Sequence, residues 1–356
     1  MKGLILAGGR GTRLRPLTYT GNKHLIPIAN KPILYYAIQT LKDAGINDIG
    51  IILGNNDPDA VKKIFGDGSE LGVKITYIMQ GEPRGIAHAV YCAKKFVSND
   101  DFIVYLGDNL LRTNMKNIID LFNKETSEAL ITIIKVKNPK EFGVVEIDKT
   151  GKIIRLVEKS DKFVSDIALA GVYILKPGIF DIIEKIKPSA RGELEITDAI
   201  DNLVQKKMPV SMYMLKEWWK DTGKPEDILH ANKLVLDEMV AENKGKIEDG
   251  VRIHGRVSIC EGTIIKKGTV IKGPVSIGKN CIIGPESYIG PYTSIGDNTT
   301  IENGEIEDSI VIGDCKIKSR QKIVDSLIGK NCEIMVTNAL PKGSRMIIGE
   351  NSRLFI

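Results

Sequence analysis

From Ile247 onward the chain repeats with a step of six. Isoleucine occupies positions 247, 253, 259, 265, 271, 277, 283, 289, 295 and 301, ten times without a break. Four residues after each of the first nine stands a small or β-branched residue: Val251, Val257, Thr263, Thr269, Val275, Cys281, Ser287, Thr293 and Thr299. An α-helix cannot use this period, because 3.6 residues per turn smears a six-residue stripe around the cylinder. A left-handed parallel β-helix can. Each hexad then forms one flat face of a triangular coil, with isoleucine inward and Gly, Asn or Asp at the corners. The period slips after Ile301, but Ile306, Ile312, Ile317, Ile323, Ile328 and Ile334 predict further coils with altered corners.

The first 240 or so residues follow another pattern. Apolar, β-branched runs at Leu4 to Ala7, Ile49 to Leu53, Ile75 to Ile78, Phe102 to Leu106 and Leu130 to Val136 read as buried strands. Between them, Ile33 to Ala44 and Ile86 to Phe96 carry apolar residues at helical spacing. This alternation predicts an α/β fold, a Rossmann-like, mostly parallel sheet covered by helices on both faces. Such sheets bind ligands at the carboxyl ends of their strands. Gly143 to Glu146, Ile153 to Val157 and Ala168 to Leu175 add strands, read as a subsidiary sheet closing over the site. With 356 residues, well above the roughly 150 of one domain, the chain divides as 1–240 (catalytic), 241–246 (connector), 247–338 (β-helix) and 339–356 (tail).

Composition narrows the function classes. Lys and Arg number 50 against 45 Asp and Glu, and no basic block interleaved with aromatics marks a nucleic-acid partner. The N-terminal apolar run, Leu4 to Ala7, is too short for a signal peptide, and no apolar run approaches eighteen residues. No membrane partner and a cytoplasmic location are the expectation. Cys92, Cys260, Cys281, Cys315 and Cys332 lie too far apart for metal ligation and read as reduced, packed thiols.

The strongest chemical signal directly follows the first strand: Leu6-Ala7-Gly8-Gly9-Arg10-Gly11-Thr12-Arg13-Leu14-Arg15-Pro16. Three glycines in four positions let backbone N–H groups converge on an anion. Arg13 supplies a fork of donors suited to phosphate oxygens, and Lys23 follows ten residues later. The run fits neither the dinucleotide-binding nor the P-loop pattern.

These residues resemble the sugar-nucleotide pyrophosphorylases, nucleotidyltransferases acting on sugar 1-phosphates. The similarity continues through Lys23 and Pro27, Gln80, Pro83-Arg84-Gly85-Ile86-Ala87-His88-Ala89, Leu106-Gly107-Asp108-Asn109 and Phe142-Gly143-Val144-Val145-Glu146. It includes Glu158-Lys159, Arg191-Gly192-Glu193-Leu194-Glu195-Ile196-Thr197-Asp198 and Trp218-Trp219-Lys220-Asp221-Thr222-Gly223. Within that family the motifs most resemble glucose-1-phosphate thymidylyltransferase in its longer form, which carries a hexapeptide-repeat tail.

The resemblance implies transfer of a nucleotidyl group from dTTP to glucose 1-phosphate, assisted by Mg²⁺. It makes Asp108 and Asp221 the metal pair, both at strand ends by pattern, since Mg²⁺ needs only one or two carboxylates. Leu6, Gly8, Gly9, Gly11, Thr12, Arg13 and Lys23 are assigned to the nucleotide, with Gln80 presenting its amide to a pyrimidine edge and Gly85 admitting the base. Asn109, Gly143, Glu158, Lys159 and Arg191 are assigned to the sugar phosphate. Arg13, Lys23, Asp108, Lys159 and Asp221 form the catalytic set. Three positions depart from the family pattern: Ser160 stands where proline is common, His24 where glutamine is, and Phe142 where tyrosine is.

Alternatives stay open at this stage. UTP differs from dTTP by one methyl and one hydroxyl, and a methyl is worth only roughly 1–3 kcal/mol of discrimination. A bifunctional relative would add acyl transfer on the β-helix, which needs a histidine base, and His254 alone lies in the repeats. The preferred role for the repeats is assembly, with a homo-oligomer as the expected partner state.

Overall fold

The structure is a computed structural model and describes residues 1–319, 321–335 and 350–353. Most of the expected tail 339–356, and the last residues of the range 247–338, therefore lie outside the described residues. The chain forms two compact units.

The first unit contains Met1–Arg10, Thr20–Leu25 and Ile33–Asp221. Strands Lys74–Met79, Asp48–Leu53, Lys2–Ala7 and Phe102–Leu106 run parallel in that spatial order. Along Lys2–Ala7, Leu4 and Leu6 enter one hydrophobic cluster while Ile5 and Ala7 enter the other. Both faces are covered, so the strand reads as a continuous apolar run rather than an alternating one. Leu34, Ala37, Ile38 and Leu41 of helix Ile33–Asp43 pack on one face. Ile196, Ala199, Ile200 and Leu203 of helix Ile196–Gln205 pack on the other.

Two expectations for this region need correction. The helix read as Ile86 to Phe96 breaks at Ala93 into Ile86–Cys92 and Lys94–Val97. The later strands do not form a separate sheet. Ile167–Leu175 pairs antiparallel to Phe102–Leu106, and Gly143–Ile147 and Ile153–Glu158 extend the same nine-stranded sheet. The small separate ribbon is instead Asn109–Leu111 with Trp219–Asp221, antiparallel.

The second unit contains Gly11–Tyr19, Ile26–Pro32 and Thr222–Ile356. Its repeats form three parallel sheets of six, six and five strands, the arrangement expected of a left-handed β-helix. Ile259, Ile277 and Ile295 stack in register, eighteen residues per coil. Ile265, Ile271, Ile283, Ile289 and Ile301 are fully buried in the same core. After Ile301 the inward position moves: Ile295 pairs with Val311, which is fully buried, rather than with Ile312. Steps of five rather than six, from Ile301 to Ile306 and on to Val311, shorten the corners and shift the register. Asn303 and Asp308 turn these corners with φ of 47° and 49°, a conformation Asn and Asp tolerate best after glycine. The β-helix also begins early, because Glu242–Asn243 already pairs with Ser258 and Ile259 inside the expected connector 241–246.

This unit is wider than the repeats. Asn232, on helix Pro225–Asp237, accepts from the Ala29 N–H at 2.9 Å and from the Ser294 hydroxyl at 2.7 Å. Its amide nitrogen donates to the Tyr292 carbonyl at 3.0 Å. Asn30 donates to the Ser276 hydroxyl at 3.0 Å and the Ile295 carbonyl at 2.9 Å. An early hairpin, a late helix and one flat face of the repeats thus share buried polar contacts.

Candidate active site

The carboxyl ends of the parallel strands place the first group of residues. Leu6 is buried at the end of Lys2–Ala7, and Gly8 and Gly9 follow it. A Cβ on Gly8 would fall 2.5 Å from Gln80 Oε1, and one on Gly9 would fall 2.9 Å from Lys23 Cε. Gly8, Gly9, Lys23 and Gln80 therefore stand together. Gly11, Thr12 and Arg13 belong to the second unit, where Gly11 (φ 62°) opens the 3-10 turn Thr12–Leu14 and Arg13 is exposed.

Lys23 donates to Asp108 Oδ2 in a close ion pair. Burial works to raise the Asp108 carboxyl, but the Lys23 ammonium, His24 and the Asn109 amide together outweigh it and hold it below the ordinary carboxylate range. Asn109 Nδ2 donates to Asp108 Oδ1 at 3.0 Å, and Asn109 Oδ1 accepts from the Trp219 indole at 2.7 Å. In the ribbon, Asp221 is the register partner of Asn109, so the backbone sets Asp221 beside the residue that follows Asp108. The register thus brings the Asp221 backbone next to Asn109, the residue that follows the other carboxylate assigned to a metal. Among the described residues no group of three or more His, Cys, Asp or Glu could hold an ion. A pair of carboxylates fits Mg²⁺, which keeps several waters and takes its remaining oxygens from phosphates.

On the sugar side, Glu158 ends its strand and accepts from Thr197 Oγ1 at 2.5 Å. Lys159 Nζ lies 3.7 Å and Arg191 Nη1 3.5 Å from Glu158 Oε1. Arg191 also reaches Glu195 at 3.2 Å and Glu193 at 3.2 Å. A Cβ on Gly143 would fall 2.8 Å from Glu158 Oε2 and 2.9 Å from Thr197 Oγ1, so only glycine leaves this carboxylate in place. Phe142 packs edge-on against Trp219 with ring centroids 5.5 Å apart. The ring without a hydroxyl thus supports the tryptophan that holds Asn109.

Gly85 has a structural reason of its own, beside the role read for it in the sequence. With φ 105°, its missing Cβ makes room for the Leu194 backbone, whose N–H bonds to the Arg84 carbonyl at 2.8 Å. The glycine admits the segment that leads into helix Ile196–Gln205.

Residues 2–238 match the family described as nucleotidyl transferase. The chain belongs to the nucleotidyl transferase family. Residues 271–354 match a second family, the GMPPB C-terminal domain. The chain is 47% identical to the low-salt glycan biosynthesis nucleotidyltransferase Agl11 of Haloferax volcanii, over 99% of each chain. It is 39% identical to a glucose-1-phosphate thymidylyltransferase of Streptomyces antibioticus, over 100% of this chain and 99% of that one. A crystal structure of a Bacillus anthracis protein assigned as a glucose-1-phosphate thymidylyltransferase, in complex with a sucrose, superposes with a TM-score of 0.63. That protein is 39% identical, and the match covers 69% of this chain and 98% of that one.

Two histidines of this nucleotidyl transferase, each in contact with a candidate site residue or its neighbour, carry no signal in the sequence beyond their place in a motif. His24 is 1% exposed, and its ring and backbone nitrogens lie 2.8 and 2.9 Å from Asn22 Oδ1. Since that oxygen accepts, Nδ1 carries the proton. Burial and the adjacent Lys23, opposed by Asp108, push His24 down to about 3, so the imidazole stays neutral beside the Lys23–Asp108 pair. His88 Nε2 lies 2.9 Å from Arg84 Nη2, and an arginine only donates, so Nε2 accepts. His88 Nδ1 then faces the Gln80 amide at 3.3 Å. Burial, with Arg84 beside it, lowers His88 as well. Among the described residues no helix is long and apolar enough to cross a membrane.

Proposed function

We propose that this nucleotidyl transferase makes dTDP-glucose from dTTP and glucose 1-phosphate. A phosphate oxygen of the sugar attacks the α-phosphorus of the triphosphate. The bond from that phosphorus to the bridging oxygen breaks, and its electron pair leaves with pyrophosphate. Both reactants are anions, so the site must neutralise their charge before they meet. The observation that carries the reading is the chain of contacts Lys23–Asp108–Asn109–Trp219, in which Asn109 is also the register partner of Asp221.

Asp108 and Asp221 would hold a Mg²⁺ ion, which when bound screens the triphosphate charge. Lys23 brings its ammonium to the same carboxylate, and the neighbouring Gly8 and Gly9 offer backbone N–H groups to phosphate oxygens. Glu158 is fixed by Thr197 and suits acceptance from sugar hydroxyls, while Lys159 and Arg191 bring positive charge to its carboxylate. Thymine against uracil is a matter of one methyl, so a UTP-dependent uridylyltransferase is the alternative; an acyltransferase activity of the β-helix would have to use His254, which is exposed.

The test is a panel of initial rates for dTTP, UTP, ATP and GTP against glucose 1-phosphate and N-acetylglucosamine 1-phosphate, read by pyrophosphate release. The reading expects dTTP with glucose 1-phosphate to give the highest kcat/KM. A tenfold preference for UTP would replace the thymidylyl assignment with the uridylyl one.

A further inference from the structure

Three side chains of the first unit, Arg84, His88 and Gln80, form a hydrogen-bonded relay. Gln80 is buried just after the strand Lys74–Met79, and His88 is buried on the helix Ile86–Cys92. Arg84 Nη2 donates to His88 Nε2 at 2.9 Å, and Cys92 Sγ, whose thiol is a further weak donor, lies 3.8 Å from the same nitrogen. Burial and the charge of Arg84 both act against a second proton on the ring. A neutral imidazole has one donor and one acceptor nitrogen. With Nε2 accepting, the proton sits on Nδ1.

Nδ1 lies 3.3 Å from the Gln80 amide, where it can therefore only donate. The two ends of an amide have nearly the same shape, and the hydrogen bonds around it decide which way it points. With Nε2 toward His88, two donors would face each other, in return for one long contact to the Gly85 carbonyl at 3.4 Å. That carbonyl already accepts from the Ala89 N–H at 3.2 Å. With the oxygen toward His88, the imidazole N–H gains an acceptor. The other end of the amide lies against Gly8 of the glycine-rich run, where a Cβ would come within 2.5 Å of it.

We propose that His88, its proton placed by Arg84, holds the Gln80 carbonyl oxygen, and that this orientation makes the site select pyrimidines with an oxygen at the 4-position and reject cytosine. The inference rests on the assignment of Gln80 to the base and deepens it. Thymine presents an acceptor at O4, where cytosine presents a donor at N4. An amide oxygen held by His88 keeps a second lone pair for N3–H, and the free NH₂ donates to O4. Cytosine in the same place would set its amino group against that NH₂ and its N3 lone pair against the oxygen. An amide free to turn over would match cytosine instead. Arg84 and His88 are thus positioning residues whose effect is on specificity, and uracil passes as thymine does.

The test uses the full chain with His88→Phe, Arg84→Leu and Gln80→Leu. Initial rates with the wild type's preferred sugar 1-phosphate give kcat/KM for dTTP against dCTP and for UTP against CTP. Wild-type protein is expected to favour the 4-keto base roughly a hundredfold or more, since the wrong edge leaves the site's polar groups unpaired. His88→Phe keeps a ring but no donor. It should narrow the ratio about tenfold or more, with the absolute kcat/KM for dCTP rising. Arg84→Leu, at an exposed position, frees the tautomer and should narrow the ratio in the same direction. A packing role alone would lower both nucleotides in parallel. Melting curves show which variants are folded, and Arg84→Leu carries the test if His88→Phe is not. An unchanged ratio in a folded variant at either position, or wild-type protein that uses dCTP as well as dTTP, would overturn the proposal. Gln80→Leu separates the two levels. If it abolishes the preference while His88→Phe keeps it, the inference falls and base reading by Gln80 stands; if Gln80→Leu keeps the preference, both fall. Wild-type protein that uses no pyrimidine triphosphate overturns the functional reading and this inference together.

Discussion

Trp219 donates its indole N–H to Asn109 across the ribbon at 2.7 Å, and Asn109 passes the constraint to Asp108 through its amide at 3.0 Å. Asn109 is 3% exposed and both ends of its side chain are engaged. Its first task is therefore to hold Asp108, whatever hydroxyl it also meets. Trp219→Phe keeps the ring against Phe142 but leaves the buried Asn109 oxygen without that donor. We expect kcat/KM to fall roughly ten- to a hundredfold and the melting temperature by a few degrees, since an unsatisfied buried acceptor costs about 1–3 kcal/mol. Steady-state kinetics beside thermal unfolding checks this, and unchanged kcat/KM would separate Asn109 from the reaction.

The two carboxylates make a sharper case. Asp108→Asn removes a negative ligand and leaves the Lys23 ammonium without its counter-charge. Turnover should drop about 10²–10³-fold with the fold intact, as on loss of one strong electrostatic stabiliser. Asp221→Asn should fall similarly. Asp198 sits in the first turn of helix Ile196–Gln205, where burial raises its carboxyl. Asp198→Asn should stay within a few-fold of wild type. Full activity of Asp108→Asn in saturating Mg²⁺ would remove Asp108 from the metal pair.

Periodicity made the fold legible from residues alone, and the motifs named the candidate site. Ten isoleucines at a step of six permit one backbone, and an unbroken apolar run such as Leu4 to Ala7 requires cover on both faces. What stayed hidden depends on contacts between distant residues. Nothing near Tyr19 announces Glu350, and Asn232 looks like an ordinary helix residue until Ala29 and Ser294 meet it. The shift from Ile312 to Val311 was invisible because a five-residue step leaves an apolar residue at either position. Nor does the sequence near Gly85 show that the Leu194 backbone lies against it.

Gly143 offers a test confined to the sugar half. Its φ is not in the left-handed region, so alanine suits the backbone, but the new methyl would meet Glu158 and Thr197 at under 3 Å. Glu158 could yield only by giving up its bond to Thr197. Gly143→Ala should raise the KM for glucose 1-phosphate about tenfold, the cost of one displaced charged acceptor, and leave the KM for dTTP unchanged. Parallel increases in both would mean that Glu158 does not serve the sugar alone.

His24 gives the fold a pH dependence of definite sign. Its value falls from 6.5 to about 3 on folding, so both states are neutral above pH 7 and this group contributes no slope there. Below 6.5 the unfolded chain takes up a proton that the folded one refuses, and stability declines until the pH approaches 3. The limiting slope for one proton is about 1.4 kcal/mol per pH unit. His88, also lowered by burial, adds to it in the same direction. Asp108 acts in a different window. Its carboxylate is held below the ordinary range, so its contribution is complete above 3.8 and is lost only at lower pH. Denaturant midpoints at pH 7, 6 and 5 should therefore decline in the wild type while the Lys23–Asp108 pair is still ionised. His24→Gln retains an N–H for Asn22 and cannot take up a proton. It should flatten that decline by up to about 1 kcal/mol per pH unit, leaving the residual slope of His88. Wild-type and His24→Gln curves that fall in parallel would show that His24 is protonated in the folded protein.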